Sequence, residues 1–176
     1  MDWNITYIIS QIVTVIFYGL FAYSYLLKTQ KSILVVGGVA VFLNAIAFIL
    51  LGGWSGVATC VVALIANLVK YKWPKFGTSL PMLALTFSAI ALLAAFTYDG
   101  FLSLMSVFAT SLYRYSIWQK KPAVYKLCGL PVGTLWTIYN LYIGSIFGII
   151  LEIGLTVFAM VGFIKDWRAG KLNEEH

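Results

Sequence analysis

Charge is what this sequence has least of. Only 10% of its 176 residues are Asp, Glu, Lys or Arg, while 61% are hydrophobic. A soluble domain carries about 25% charged residues because its surface must face water. Too few polar groups are present to coat a globule of this length, so the surface must face lipid. Histidine is nearly missing as well: the one His is His176, the last residue. No Ser–His pair, metal-ligand cluster or phosphate-binding loop can be assembled from what remains. Without intramembrane His or paired acids, a membrane hydrolase or metalloprotease is not supported. The chain reads as a non-enzyme with no metal and no cofactor. Cys60 and Cys128 both fall inside apolar runs, as buried small hydrophobes rather than a disulfide framework. The opening Met1-Asp2-Trp3-Asn4 lacks a positive segment, so the first apolar run reads as a retained span, not a cleaved signal.

What is present is a succession of apolar runs. Seven can be read, at 5–27, 33–51, 54–70, 79–97, 100–118, 124–143 and 145–165. They are long enough to cross a bilayer as helices, and too long and uniformly apolar for barrel strands. Gly52-Gly53, Asp99-Gly100 and Gly144 mark the tight breaks between neighbours. The net charge of +6 suggests nucleic acid at first sight. The basic residues instead sit in clusters between apolar runs, as in cytoplasmic loops. Lys28, Lys31, Lys70, Lys72, Lys75, Arg114, Lys120, Lys121, Lys126, Lys165, Arg168 and Lys171 all fall in or beside the first, third or fifth connection, or in the tail. Seven spans put all twelve on the cytoplasmic side, and Asp2 and Asp99 on the other. The expected fold is therefore an all-α polytopic membrane protein, N-out and C-in. Trp3 and Trp54 then lie near the outer ends, and Trp73, Trp118 and Trp167 near the cytoplasmic ends, as interfacial anchors do.

An internal repeat follows from the glycines. Leu50-Leu51-Gly52-Gly53-Trp54-Ser55-Gly56 aligns with Tyr142-Ile143-Gly144-Ser145-Ile146-Phe147-Gly148 without a gap, and both flanking three-helix patterns fall in register. Spans one to three then match spans five to seven, with span four left over. This 3+1+3 layout predicts a first three-helix repeat at 1–76, a linker helix at 77–98, a second repeat at 99–168 and a cytoplasmic tail at 169–176. An odd linker helix puts both repeats in the same orientation, a parallel-repeat transporter layout.

The segment Leu135-Trp136-Thr137-Ile138-Tyr139-Asn140, followed by Gly144-Ser145, Gly148 and Glu152, resembles the C-terminal signature of the YgjV family of bacterial inner membrane proteins. The closing Lys165-Asp166-Trp167-Arg168 is similar too, as are Gln11 and Leu50-Leu51-Gly52 near the start. The third span departs from that pattern, with Val62 and Ile65 where the family resemblance implies an Asn and an Arg. The resemblance implies a multi-pass inner-membrane location. It also implies kinship of architecture with SWEET, PQ-loop and PnuC-type transporters, although no Pro-Gln dipeptide occurs in this chain.

Few residues can carry chemistry. Glu152 is the one acid deep in an expected span, about 10 Å into the last helix at 1.5 Å per residue. A lone ionised carboxylate there costs several kcal/mol, so it must face the interior, stay protonated or find a partner. Asn140, Tyr139, Asn44 and Gln11 lie at similar depth. Two readings stay open. In one, Glu152 lines a solute pathway and exchanges protons; in the other it bonds Asn140 and holds the bundle together. Trp136 shares a helix face with Asn140, so ring and amide suit a planar or sugar-like solute; a core Trp is the alternative. Glu152, Asn140, Trp136, Tyr139, Asn44 and Gln11 form the expected substrate-binding set. Pro131, between Gly129 and Gly133, is expected to break span six, and with Gly37 and Gly38 of span two to serve either as a hinge or as a static kink. Asn67 is read as interfacial and without a role. The leading function is a small-solute transporter; the alternative is a non-transporting assembly or sensor protein. The implied partners are the bilayer and a small polar solute, not nucleic acid, and a homo-oligomer is compatible with either reading.

Overall fold

The computed structural model describes residues 4–24, 30–118 and 122–168. Among these, eight α-helices and one 3-10 turn account for the secondary structure. The helices are α1 (Ile5–Ser24), α2 (Gln30–Leu51), α3 (Trp54–Lys72), α4 (Pro74–Gly77), α5 (Leu80–Phe96), α6 (Leu104–Trp118), α7 (Pro122–Tyr142) and α8 (Ile146–Arg168), with the 3-10 turn at Phe101–Ser103 ahead of α6. Asp2, Trp3, Lys28, Lys120, Lys121, Lys171 and the tail 169–176 lie outside the described residues, as do the side chains of Lys126, Lys165, Asp166 and Trp167.

Among the described residues, three helices are long and apolar enough to cross a membrane: Ile5–Ser24, Lys31–Leu51 and Trp54–Lys72. Leu80–Phe96 and Ile146–Val157 are shorter apolar helices. The surface is oily. Ile5, Ile12, Leu85, Phe96, Phe101 and Leu141 are all exposed, while Ser10, Thr14, Thr59, Ser106 and Thr110 are buried. That inversion is what a lipid solvent selects, because apolar side chains lose nothing there and hydroxyls need partners. The interior is built mainly from Ala, Gly, Ser and Thr, which let helices approach closely. Among the described residues, Tyr139 is the largest side chain that is completely buried.

The breaks fall where left-handed backbone is required. Gly52, Gly100 and Gly144 have φ of 72°, 84° and 73°, conformations a Cβ disfavours. Gly52 and Gly144 terminate α2 and α7 in the same way. Gly52 N–H donates to Ile49 O and Gly53 N–H to Phe48 O; Gly144 N–H donates to Leu141 O and Ser145 N–H to Asn140 O. These are matching Schellman caps, 92 residues apart.

Packing follows a closed circuit. α1 packs on α2 and α8, α2 on α3, α3 on α6, α6 on α7, and α7 on α8; α5 lies against both α3 and α6. Burial also recurs at a spacing of 92 residues. Gln11, Thr14, Phe17, Tyr18 and Ser24 of α1 are buried, and so are Ser103, Ser106, Ala109, Thr110 and Ser116. Ala40, Ala47 and Phe48 match buried Val132, Tyr139 and Asn140. Even a local bond repeats: Ser24 Oγ donates to Phe21 O at 2.6 Å, and Ser116 Oγ to Tyr113 O at 2.7 Å.

One local expectation is corrected, and one connection carries structure of its own. Pro74 starts the short α4, whose Gly77 lies against the Lys70 backbone so closely that a Cβ would come within 2.6 Å of Lys70 Cα. Pro131 does not interrupt its helix: α7 runs through it from Pro122 to Tyr142, and Pro131 is on the exposed face. A proline forfeits one backbone bond, and the neighbouring turns hold the helix together. Gly37 and Gly38 lie inside α2, with open space where a Cβ would stand.

Candidate functional site

The polar residues of the interior gather at two seams between helices. At the first, α1 meets α7 and α8. Tyr18 of α1 donates its hydroxyl to Glu152 Oε2 at 2.6 Å, and the same hydroxyl lies 3.4 Å from Gly148 O. Such a short O–H···O contact is in the range of charge-assisted bonds. Asn140 of α7 is buried beside this pair, with its amide facing the Tyr18 hydroxyl. Gly148 makes the approach possible, since a Cβ there would stand 2.5 Å from Asn140 Oδ1. Glu152 of α8 is thus bonded to Tyr18 of α1, with Asn140 of α7 against the same hydroxyl, on a helix that also carries the glycine its neighbours need.

One turn further out, α1 completes the start of α8. The first amides of a helix have no partner within it. Ser145, at the N-cap, accepts from Gly148 N–H at 3.2 Å. Gln11 Oε1 accepts from Phe147 N–H at 3.0 Å, and Gln11 Nε2 donates to Ser10 Oγ at 3.2 Å. Tyr7 Oη donates to Gly144 O at 3.1 Å. Gln11 is therefore a capping residue in this structure.

At the second seam α3 meets α6 and α7. Tyr139 Oη accepts from Gly56 N–H at 2.8 Å and from Ser55 Oγ at 3.2 Å. Gly53, the N-cap of α3, has no side chain to offer, so a hydroxyl from α7 satisfies the amide instead. Tyr139 and Trp136 pack on Phe48: the Phe48–Trp136 rings are stacked at 5.9 Å and the Phe48–Tyr139 rings meet edge-on at 5.5 Å. Asn44 Nδ2 lies 3.8 Å from Cys60 Sγ. Val62 is buried and Ile65 is exposed. Toward the cytoplasmic end expected from the charges, Arg114 of α6 donates to Asn67 Oδ1 at 3.3 Å and to Ala63 O at 3.0 Å.

The six expected site residues therefore divide. Gln11, Asn140 and Glu152 stand along the α1–α7–α8 seam. Trp136 and Tyr139 belong to an aromatic core with Phe48, and Asn44 pairs with Cys60. A shallow cleft of about 270 Å³ opens between α1 and α8, lined by Gln11, Ile8, Ile12, Val15, Ile16 and Phe147. Another of about 210 Å³ lies between α7 and α8, around Thr134, Thr137 and Thr156. Neither is lined by Glu152, Asn140, Trp136, Tyr139 or Asn44. Among the described residues, no group of three or more His, Cys, Asp or Glu could hold a metal.

Sequence reasoning missed Tyr18, Tyr7 and the Arg114–Asn67 pair. The signal for Tyr18 was its place on the Gln11 face of α1, seven residues on, which is two helical turns. For Arg114 it was a cation four residues inside the end of an apolar run. Asn67, expected to have no role, is its partner.

Searches of curated proteins and of solved structures found no match. Residues 8–170 match the family model of Imp-YgjV, described as a bacterial inner membrane protein. The chain therefore belongs to the Imp-YgjV family and is an integral protein of the bacterial inner membrane.

Proposed function

We propose that the chain crosses the inner membrane seven times, N-out and C-in, as two duplicated three-helix units joined by α5, and moves a small polar solute between them. The matching Schellman caps, the recurrence of burial at 92 residues and the circuit of packing support the duplication. Under that pairing α1, α2 and α3 correspond to α6, α7 and α8, and the α1–α8 contact corresponds to the α6–α3 contact. The observation that carries the solute reading is the Glu152–Tyr18 bond with Asn140 beside it. It joins an ionisable group to residues from both units, and carriers built from repeats bind substrates and coupling ions at the repeat interface. Glu152 exchanges the proton, Tyr18 holds the carboxyl with Asn140 beside it, and a solute with hydroxyl or amide groups replaces Tyr18 during transport.

The test is uptake by proteoliposomes, after a thermal-shift screen against sugars, nucleosides, vitamins and amino acids has identified a stabilising compound. Glu152→Gln keeps an acceptor for Tyr18 but cannot ionise. It is expected to fold and to lose the response of uptake to an imposed pH gradient. Unchanged pH-driven uptake would remove Glu152 from coupling. A second reading, a non-transporting assembly or sensor protein, is favoured by the division of the polar residues into separate helix contacts. If no compound in the screen stabilises the protein, that reading is preferred.

A further inference from the structure

Arg114 is a cation within an apolar helix, and its surroundings are incomplete. Its two described bonds go to neutral acceptors, the Asn67 amide oxygen and the Ala63 carbonyl. Its Nε is buried and has no hydrogen-bond partner among the described residues. A guanidinium carries five N–H donors arranged as a fork that fits two oxygens of a carboxylate or phosphate. A charge held in an apolar interior is expected to be paired, and an unsatisfied buried donor costs about 1–3 kcal/mol. Tying α3 to α6 needs a hydrogen-bonding side chain but not a positive one, since an amide would serve. The residue as a whole is half-buried, while its Nε is fully enclosed. Ser106 and Thr110 precede Arg114 along one buried face of α6, while Lys70 and Lys72 stand in the last turn of α3.

We infer that Arg114, steered by Asn67, anchors an oxyanion-binding site at the cytoplasmic end of the α3–α6 seam that takes one carboxylate or phosphate group. The bound group accepts from Nε and a terminal nitrogen, while Asn67 and the Ala63 carbonyl keep the fork turned toward it. This site is separate from Glu152 and does not depend on the transport reading. The oxyanion can come from a free solute or from a phospholipid headgroup, because both offer the same pair of oxygens.

The chain has two arginines, Arg114 and the exposed Arg168, which makes a protection experiment direct. Purified protein in a neutral detergent is treated with phenylglyoxal, and each arginine is followed by peptide mass. Inorganic phosphate and succinate, against chloride at equal ionic strength, are expected to slow modification of Arg114 at least threefold and to leave Arg168 unchanged. In vesicles, the same protection by phosphatidylglycerol but not phosphatidylcholine, with no effect of phosphate, assigns the oxyanion to the headgroup. Asn67→Ala is expected to weaken protection by loosening the fork, and Arg114→Lys to lose the phosphate-dependent rise in thermal stability. Equal modification of Arg114 under every anion and lipid would overturn the site. So would an Arg114 that never reacts while Arg168 does, because the side chain would then be closed to ligands.

Discussion

The α1–α8 seam and the α6–α3 seam occupy corresponding places in the packing circuit, yet they are furnished differently. At the 92-residue spacing, Tyr18 corresponds to Thr110, Glu152 to Cys60 and Asn140 to Phe48. One seam holds a hydrogen-bonded carboxyl; the other holds a thiol and an aromatic cluster. Their helix starts differ in the same sense. Gly148 N–H is capped from within its own turn by Ser145, whereas Gly56 N–H is capped by Tyr139 of α7. The same backbone geometry thus gives one seam completed by a polar cluster and one locked by an aromatic side chain.

The largest effect that tests this contrast is steric. Gly56→Val would drive a side chain into Phe48 and Tyr139 Oη, both within 3 Å of where its Cβ would stand. It is expected to cost about 3 kcal/mol or more, read as loss of folded protein in detergent. Near-normal thermal stability would show that the α3–α7 contact is not the lock.

Next comes the lock's hydroxyl. Tyr139→Phe leaves Gly56 N–H and Ser55 Oγ without their acceptor and is expected to cost about 1–3 kcal/mol, measured by thermal unfolding. On the other seam, Tyr18→Phe removes the donor to Glu152 and is expected to destabilise by a similar amount. The double variant Tyr18→Phe, Glu152→Leu should recover part of that loss, because the unpaired carboxyl goes with it. Failure to recover would mean that Tyr18 acts through packing alone.

A smaller effect is expected at the α8 cap. Gln11→Ala frees Phe147 N–H and should cost about 0.5–2 kcal/mol, with faster amide exchange confined to the start of α8. Exchange rising equally at the start of α3 would contradict the separate capping of the two seams. The smallest effect concerns Gly37 and Gly38. Neither has a neighbour within 4 Å of an added Cβ, so Gly→Ala is expected to be tolerated and to stiffen α2 by up to about 1 kcal/mol. Where an uptake assay exists, slower turnover with unchanged binding would mark them as a hinge, and no change would make them passive.

The order of helices was legible because its causes are local. Gly52 and Gly144 stand where the chain must turn with positive φ, and apolar runs between them have little choice but helix. The likeness between 50–56 and 142–148 was also legible, since a cap is specified by neighbouring residues. The continuity of α7 through Pro131 was not, because one missing backbone bond does not decide whether its neighbours hold. Glu152 could be singled out by type alone, for a carboxyl in an apolar run always needs an explanation. Its partner could not: Tyr18 lies 134 residues away, and only the meeting of α1 with α8 brings the hydroxyl to 2.6 Å.

Composition by itself determined that this chain lives in lipid, because so few charges cannot cover a water-facing surface. Gly52 and Gly144 determined where α2 and α7 stop. Tertiary structure decided which polar groups meet: Gln11 became a cap, Tyr139 a lock, and Asn67 a partner for Arg114. The physical reason is that hydrophobicity is a property of each segment, whereas a hydrogen bond inside a bundle depends on two segments arriving at the same height and facing each other.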